Sequence, residues 1–209
     1  MLYLLNYIKG YLMERLKSFV TSELVLGGLV VLLSLMTAYS GYEGAMADSK
    51  QNEFEIKAQR ELTDATAEYL TANQLIVYDY QLFDGAYTAD NAEKAAYYEE
   101  SYSPALAEAI IATPDDPFSP AYYDAVYKEA NAMFDESDAL YAVASQFDER
   151  GDALQLVLLV SALGLALVAW ASLLKEGSMV RVSFAIIGIV AFVYTIMLYL
   201  GAPQAVAPV

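Results

Sequence analysis

Two groups of carboxylates are the residues best placed to do chemistry. Asp115 and Asp116 lie close in sequence to Asp124, and Asp135, Glu136 and Asp138 form a second group. Clustered carboxylates attract calcium, or act as general acid and base when their protonation states differ. Neither group matches a calcium loop, which needs a central Gly and a terminal Glu at fixed spacing. Helical spacing on a solvated face gives no ground for acid–base work. The chain contains no His and no Cys. That removes the usual base near neutral pH, the commonest transition-metal ligand, thiolate sites and disulfides. No Gly-rich phosphate loop and no nucleophile motif is present. The expectation is a protein that is not an enzyme, with no catalytic residue, no cofactor and no metal.

Tyrosine is the other abundant functional side chain. Tyr97, Tyr98, Tyr102, Tyr122, Tyr123 and Tyr127 crowd the two sides of a proline-rich segment, residues 113–120. Tyr combines a large apolar area with a polar tip, which suits protein interfaces. The same rings can also fill the end of a narrow helical bundle. Sequence alone leaves both readings open.

Charge is unevenly placed. Residues 43–152 hold 24 acidic and 6 basic residues, a net of −18, whereas the remainder holds 3 acidic and 5 basic residues. Phosphate contact needs a basic surface, so nucleic acid is excluded as a partner. A solvated acidic face is the ordinary meaning of such a balance; salt adaptation or cation attraction are the others. Hydrophobic residues make up 57% of the chain, and the mean hydropathy is +0.35. The apolar residues fall in blocks, which implies a membrane part and a helical part.

The elements that position these residues follow from periodicity. Residues 1–23 carry Leu2, Leu5, Ile8, Leu12, Leu16 and Phe19 at helical spacing among Lys9, Arg15 and Lys17. That pattern predicts an interfacial helix on a membrane surface. Residues 24–42 are free of charge and form the first predicted span, with Thr21 and Ser22 as caps. Ala45-Met46-Ala47 resembles a signal-peptidase site. A cleaved signal does not normally hold its apolar block behind 23 residues, so the segment reads as a retained anchor.

Residues 43–152 are predicted to be a helical domain. A long helix is expected over 48–83, where Phe54, Ala58, Leu62, Ala65, Tyr69, Ala72, Ile76, Tyr80 and Phe83 keep helical spacing. Asp84-Gly85 signals a turn. A shorter helix over 89–112 should kink or break at Ser103-Pro104. Ser119 caps and Pro120 opens the next helix, whose stripe runs through Tyr123, Val126, Ala130, Met133, Ser137, Leu140, Ala144 and Phe147. No proline separates it from residues 153–174, 22 residues without charge. One helix can therefore run from a water-exposed bundle into the second span. Residues 175–181 form a turn with Gly177 as terminator and Ser178 as cap. Residues 182–200 are the third span, and the proline-containing tail 201–209 is irregular.

No charged side chain lies within the spans, which leaves no signature of a proton relay or ion pathway. Ser34, Thr37, Ser161, Ser172, Ser183 and Thr195 can hydrogen-bond locally. Ala162, Ala166 and Ala169 form a small-residue stripe in the second span, and Ala185, Gly188 and Ala191 form another in the third. Such stripes let helices pack closely, within the hairpin or between subunits. Lys9, Arg15 and Lys17 before the first span, and Lys175 and Arg181 around the turn, place those ends in the cytoplasm. The acidic domain and the C-terminus then lie outside.

The junction Phe147-Asp-Glu-Arg-Gly-Asp-Ala-Leu-Gln-Leu-Val-Leu-Leu-Val160, followed by Ser-Ala-Leu-Gly-Leu-Ala-Leu-Val-Ala-Trp170, resembles a family of small prokaryotic membrane proteins of unknown function. In them one N-terminal span leads to an extracytoplasmic helical region and a closing two-span hairpin. The resemblance implies that architecture and carries no activity. The expected molecule is an all-α multi-pass protein of the cytoplasmic membrane, with three transmembrane helices and an acidic extracytoplasmic bundle. Its expected role is a non-catalytic accessory or scaffold subunit, contacting membrane lipids and other membrane subunits or further copies of itself. The alternatives are a membrane-anchored sensory or ligand-binding bundle, and a homo-oligomeric channel.

Overall fold

The computed structural model describes residues 11, 12 and 14–206. All of the regular structure among them is helical. The elements are α1 (Glu23–Tyr87), α2 (Ala92–Glu99), α3 (Pro104–Ala112), α4 (Pro120–Val126), α5 (Lys128–Leu173) and α6 (Met179–Gly201). Residues 14–20 are also helical and expose Leu16 and Phe19. Leu2, Leu5 and Ile8, the first half of the expected interfacial helix, lie outside the described residues, as does the end of the tail, 207–209.

Three helices, α1, α5 and α6, are long and apolar enough to cross a membrane. The chain divides into two compact units: Met1–Asn52 with Val143–Val209, and Glu53–Ala142. Helices α1 and α5 contribute to both.

In the first unit, Leu26, Leu29 and Leu33 of α1 pack with Val168 and Ala171 of α5 and Ala185 of α6. The contact is close because small residues face it. A Cβ built on Gly164 would lie 2.9 Å from the Ala191 Cβ, and one on Gly188 would strike the Val168 side chain. Thr37 Oγ1 donates to Ser161 Oγ at 2.9 Å, joining α1 to α5 within the apolar region. The hydroxyls of Ser34, Ser161, Ser172 and Ser183 donate to backbone carbonyls three or four residues back, and Leu33 O lies 2.8 Å from Thr37 Oγ1 as the alternative acceptor for its one proton. Thr195 differs from that expectation: its Oγ1 is buried and has no partner among the described residues.

Arginines tie both ends of this unit. At one end the buried Arg181 donates from Nη1 to Leu174 O and from Nη2 to Thr21 O, each at 2.8 Å. At the other, Arg150 donates from Nη1 to Pro203 O and from Nη2 to Glu43 Oε2, each at 3.0 Å. Arg181 was expected as a topogenic charge of the turn; it also satisfies a carbonyl at the end of α5 that has no helical partner. Close to the second tie, Tyr39 and Tyr199 place their rings 5.8 Å apart.

In the second unit, Ala58, Ala65 and Ala72 of α1 are buried at intervals of seven, as are Ala130 and Ser137 of α5. A seven-residue period is the signature of left-handed helix pairing, and small residues there let the backbones approach. Ser137 Oγ donates to Ala58 O at 3.0 Å, a bond that requires such an approach.

Several boundaries differ from expectation. Helix α1 runs through Glu43–Ala47 without a break and also through Asp84-Gly85, ending at Tyr87. Gly85 serves packing rather than a turn, since a Cβ there would lie 2.8 Å from the Tyr98 ring. The helix opened by Pro120 stops at Val126, and α5 begins at Lys128. Tyr127 between them keeps helical backbone bonds on both sides. Ser119 and Ser178 occupy cap positions, but neither side chain makes a capping bond. Gly177 does take the left-handed conformation, with φ 78°, which ends the turn after α5 at no steric cost.

Candidate functional site

The densest set of polar and aromatic side chains lies in the second unit, where α3 and α4 pack on the later part of α1. Its centre is Asp79, which is 1% exposed. Ser103 N–H donates to Asp79 Oδ1 at 3.0 Å, the Ser103 hydroxyl to Oδ2 at 2.5 Å, and the Tyr122 hydroxyl to Oδ2 at 2.7 Å. Ser103 Oγ in turn accepts from Leu106 N at 3.1 Å, capping α3 above Pro104. A sealed carboxylate is tolerable only when its oxygens are occupied. Here the same bonds fix the start of α3 and one face of α4.

Aromatic rings continue the cluster. Tyr80 stacks on Phe118 with centroids 4.1 Å apart, and Phe118 meets Phe83 and Tyr122 edge-on. The Tyr80 and Tyr123 hydroxyls share a 2.6 Å hydrogen bond. Tyr69 stacks on Tyr127, whose hydroxyl donates to Asn73 Oδ1 at 2.8 Å. Burial and the hydrogen bond to the Asp79 carboxylate push the Tyr122 phenol far above its ordinary value. Burial likewise raises Tyr102, with Glu99 and Asp79 adding to it. The bond to Tyr80 raises Tyr123, and desolvation raises Tyr127.

The six tyrosines singled out from the sequence therefore divide. Tyr122 is core, 1% exposed, and offers no outer surface because its hydroxyl is held by Asp79. Tyr98, Tyr102, Tyr123 and Tyr127 are half-buried. Tyr97 is 71% exposed and meets Tyr98 edge-on. Exposed apolar residues of the same unit include Tyr87, Tyr78 and Ile111. Asp79 itself was missed. It sits seven residues beyond Ala72 in the buried alanine series, a register that marks it as inward-facing.

The span residues also divide. Ala185 and Gly188 are buried and Ala191 half-buried, facing α5 through Val168 and Gly164. In the second span the face turned inward is Ser161, Gly164, Val168 and Ala171. Ala162 and Ala169 are half-buried, and Ala166 is exposed. Close packing within the chain thus uses the neighbouring face of α5, where Gly164 removes the Cβ that would meet Ala191.

Asp115, Asp116 and Asp124 are exposed, as are Asp135, Glu136 and Asp138. Among the described residues no three acidic side chains converge as a metal site would require. A cavity of about 180 Å³ lies between α3 and α4, lined by Ala105, Ala109, Ala112, Ala121 and Ala125 with Glu108 and Tyr122. Ser119, also in its lining, has a buried hydroxyl with no partner among the described residues. Comparison with family models, with curated proteins and with solved structures finds no match.

Proposed function

We propose that this protein is a non-catalytic accessory or scaffold subunit of a membrane assembly, anchored by α1, α5 and α6. The N-terminus and the α5–α6 turn lie in the cytoplasm. The acidic helical unit lies on the extracytoplasmic side of the cytoplasmic membrane, together with the C-terminus. The observation that carries this reading is the tyrosine cluster held by Asp79. Bonds to that buried carboxylate fix the start of α3 and one face of α4; in the same unit Tyr97 on α2 is 71% exposed, edge-on to the Tyr98 that packs over Gly85, and Tyr87 at the end of α1 is 84% exposed. Tyrosine joins a large apolar area to a polar tip and is enriched where proteins meet.

The test is cross-linking in native membranes, followed by mild-detergent purification and identification of the components. Another membrane protein should co-purify in fixed stoichiometry, and Tyr97→Ala with Tyr87→Ala should release it. A particle containing this chain alone would sink the accessory-subunit reading.

A second reading has its own observation. The alanine-lined groove beside the Ser119 hydroxyl, about 180 Å³, is below the roughly 300–1,000 Å³ of drug-sized pockets and has room only for a ligand of a few heavy atoms with an apolar body and one polar group. A sensory bundle would then melt at a higher temperature in the presence of that ligand, and Ala109→Leu would remove the shift.

A further inference from the structure

The side of α1 turned away from α5 in the second unit carries its own seven-residue series. Ile56, Thr63, Leu70 and Val77 recur at that interval, and the three apolar members are 53%, 56% and 54% exposed. Arg60, Ala67 and Gln74 follow the first three by four positions and are exposed too. A 3.5-residue period on an outward face is the pattern with which one helix receives another.

Charge indicates which helix it receives. Between residues 53 and 142 the basic side chains are Lys57, Arg60, Lys94 and Lys128. Lys57 pairs with Glu53 and Lys94 with Asp90; Arg60 has no partner among the described residues. The outward side of α5 shows the complement: Asp135, Glu136 and Asp138 are exposed beside the small residues Ala132 and Ala139. The bond from Ser137 to Ala58 O sets residues 57–60 level with 135–138 across the helix pair. Copies related by rotation about an axis parallel to this helix pair hold equal residues at equal heights along it. Arg60 of one copy therefore comes level with the carboxylates of its neighbour.

We propose that the protein self-associates side by side, the outward face of α1 in one copy packing on the outward face of α5 in the next. Ile56 comes level with Ala139 and Thr63 with Ala132, and Arg60 against Asp135 and Asp138 sets the register. Exposed ion pairs add little affinity but do select partner and alignment. The alternative of α1 on α1 would bring Arg60 level with Arg60 of the other copy, a like-charge contact. A head-to-tail contact about one axis closes into a ring when its rotation divides the circle. This surface is separate from the exposed tyrosines, so it holds or fails independently of the accessory-subunit reading.

The absence of native cysteine allows a direct test on the full chain in membranes. Ala67→Cys and Ala132→Cys are carried on separately tagged copies, expressed together and treated with a short thiol-reactive cross-linker. The expected product is a dimer bearing both tags, which neither variant gives by itself. Arg60→Glu should abolish it, and adding Asp135→Arg with Asp138→Arg should restore it. Cross-linking by Ala67→Cys alone, no mixed dimer, or a charge swap that fails to restore the product would each overturn the proposal.

Discussion

A carboxylate sealed from water needs all its bonds, and Asp79 has them from Ser103 and Tyr122. Asp79→Ala leaves two buried donors without an acceptor and frees the Ser103 amide. We expect it to cost about 3 kcal/mol of stability, read as a lower thermal midpoint of the full chain in detergent. Tyr122→Phe removes one donor and should cost about 1–2 kcal/mol. Alkaline pH acts through the same residues. Tyr102, Tyr122, Tyr123 and Tyr127 all hold their protons above the ordinary phenol value. The unfolded chain loses these protons first, so their contribution is complete below about pH 10 and declines as pH rises beyond it. Thermal midpoints should fall as pH rises past about 10, and less steeply in Tyr122→Phe. The pinning role of Asp79 was hidden in a segment crowded with acids. Its place in the series Ala58, Ala65, Ala72, Asp79 was the readable trace.

Helices were legible wherever polarity marked their faces or ends. The three uncharged runs, the break at Ser103-Pro104 and the Gly177 terminator all follow from local physics and recur in the structure. The inward face of α5 within the span did not show in this way, because an apolar segment has no polar side to contrast with it. Alanines at 162, 166 and 169 form the visible small-residue stripe, while the buried register continues Phe147, Leu154, Ser161 and Val168 at intervals of seven. Asp84-Gly85 misled for another reason: the glycine accommodates Tyr98, a contact that lies outside any local window. The packing face is testable at Gly164. A side chain there meets the Ala191 Cβ, which cannot rotate aside, so Gly164→Leu should destabilise by about 1–3 kcal/mol. Gly27, with nothing within 4 Å of a built Cβ, should accept Ala with a change of less than about 1 kcal/mol. Melting of the two variants in the same detergent makes the comparison.

At the scale of the molecule the proposed topology can be read chemically, since no native thiol interferes. A cysteine replacing Thr88 should react with a membrane-impermeant maleimide on intact cells, and one replacing Glu176 only after permeabilisation. The opposite labelling pattern would invert the protein. Removing an end tie is a further test. Arg181→Met frees Leu174 O and Thr21 O from their shared donor and should cost about 2–3 kcal/mol. The two arginine ties also fix a length. Between Thr21 and Glu43 a helix rises about 33 Å, close to the roughly 30 Å hydrocarbon thickness of a bilayer. Because the helices are fastened to one another at both ends, they cannot slide to shorten that apolar height. In a thinner or thicker membrane the lipid must deform or the whole unit must tilt. A protein built in this way favours bilayers of matching thickness and should partition between membranes accordingly.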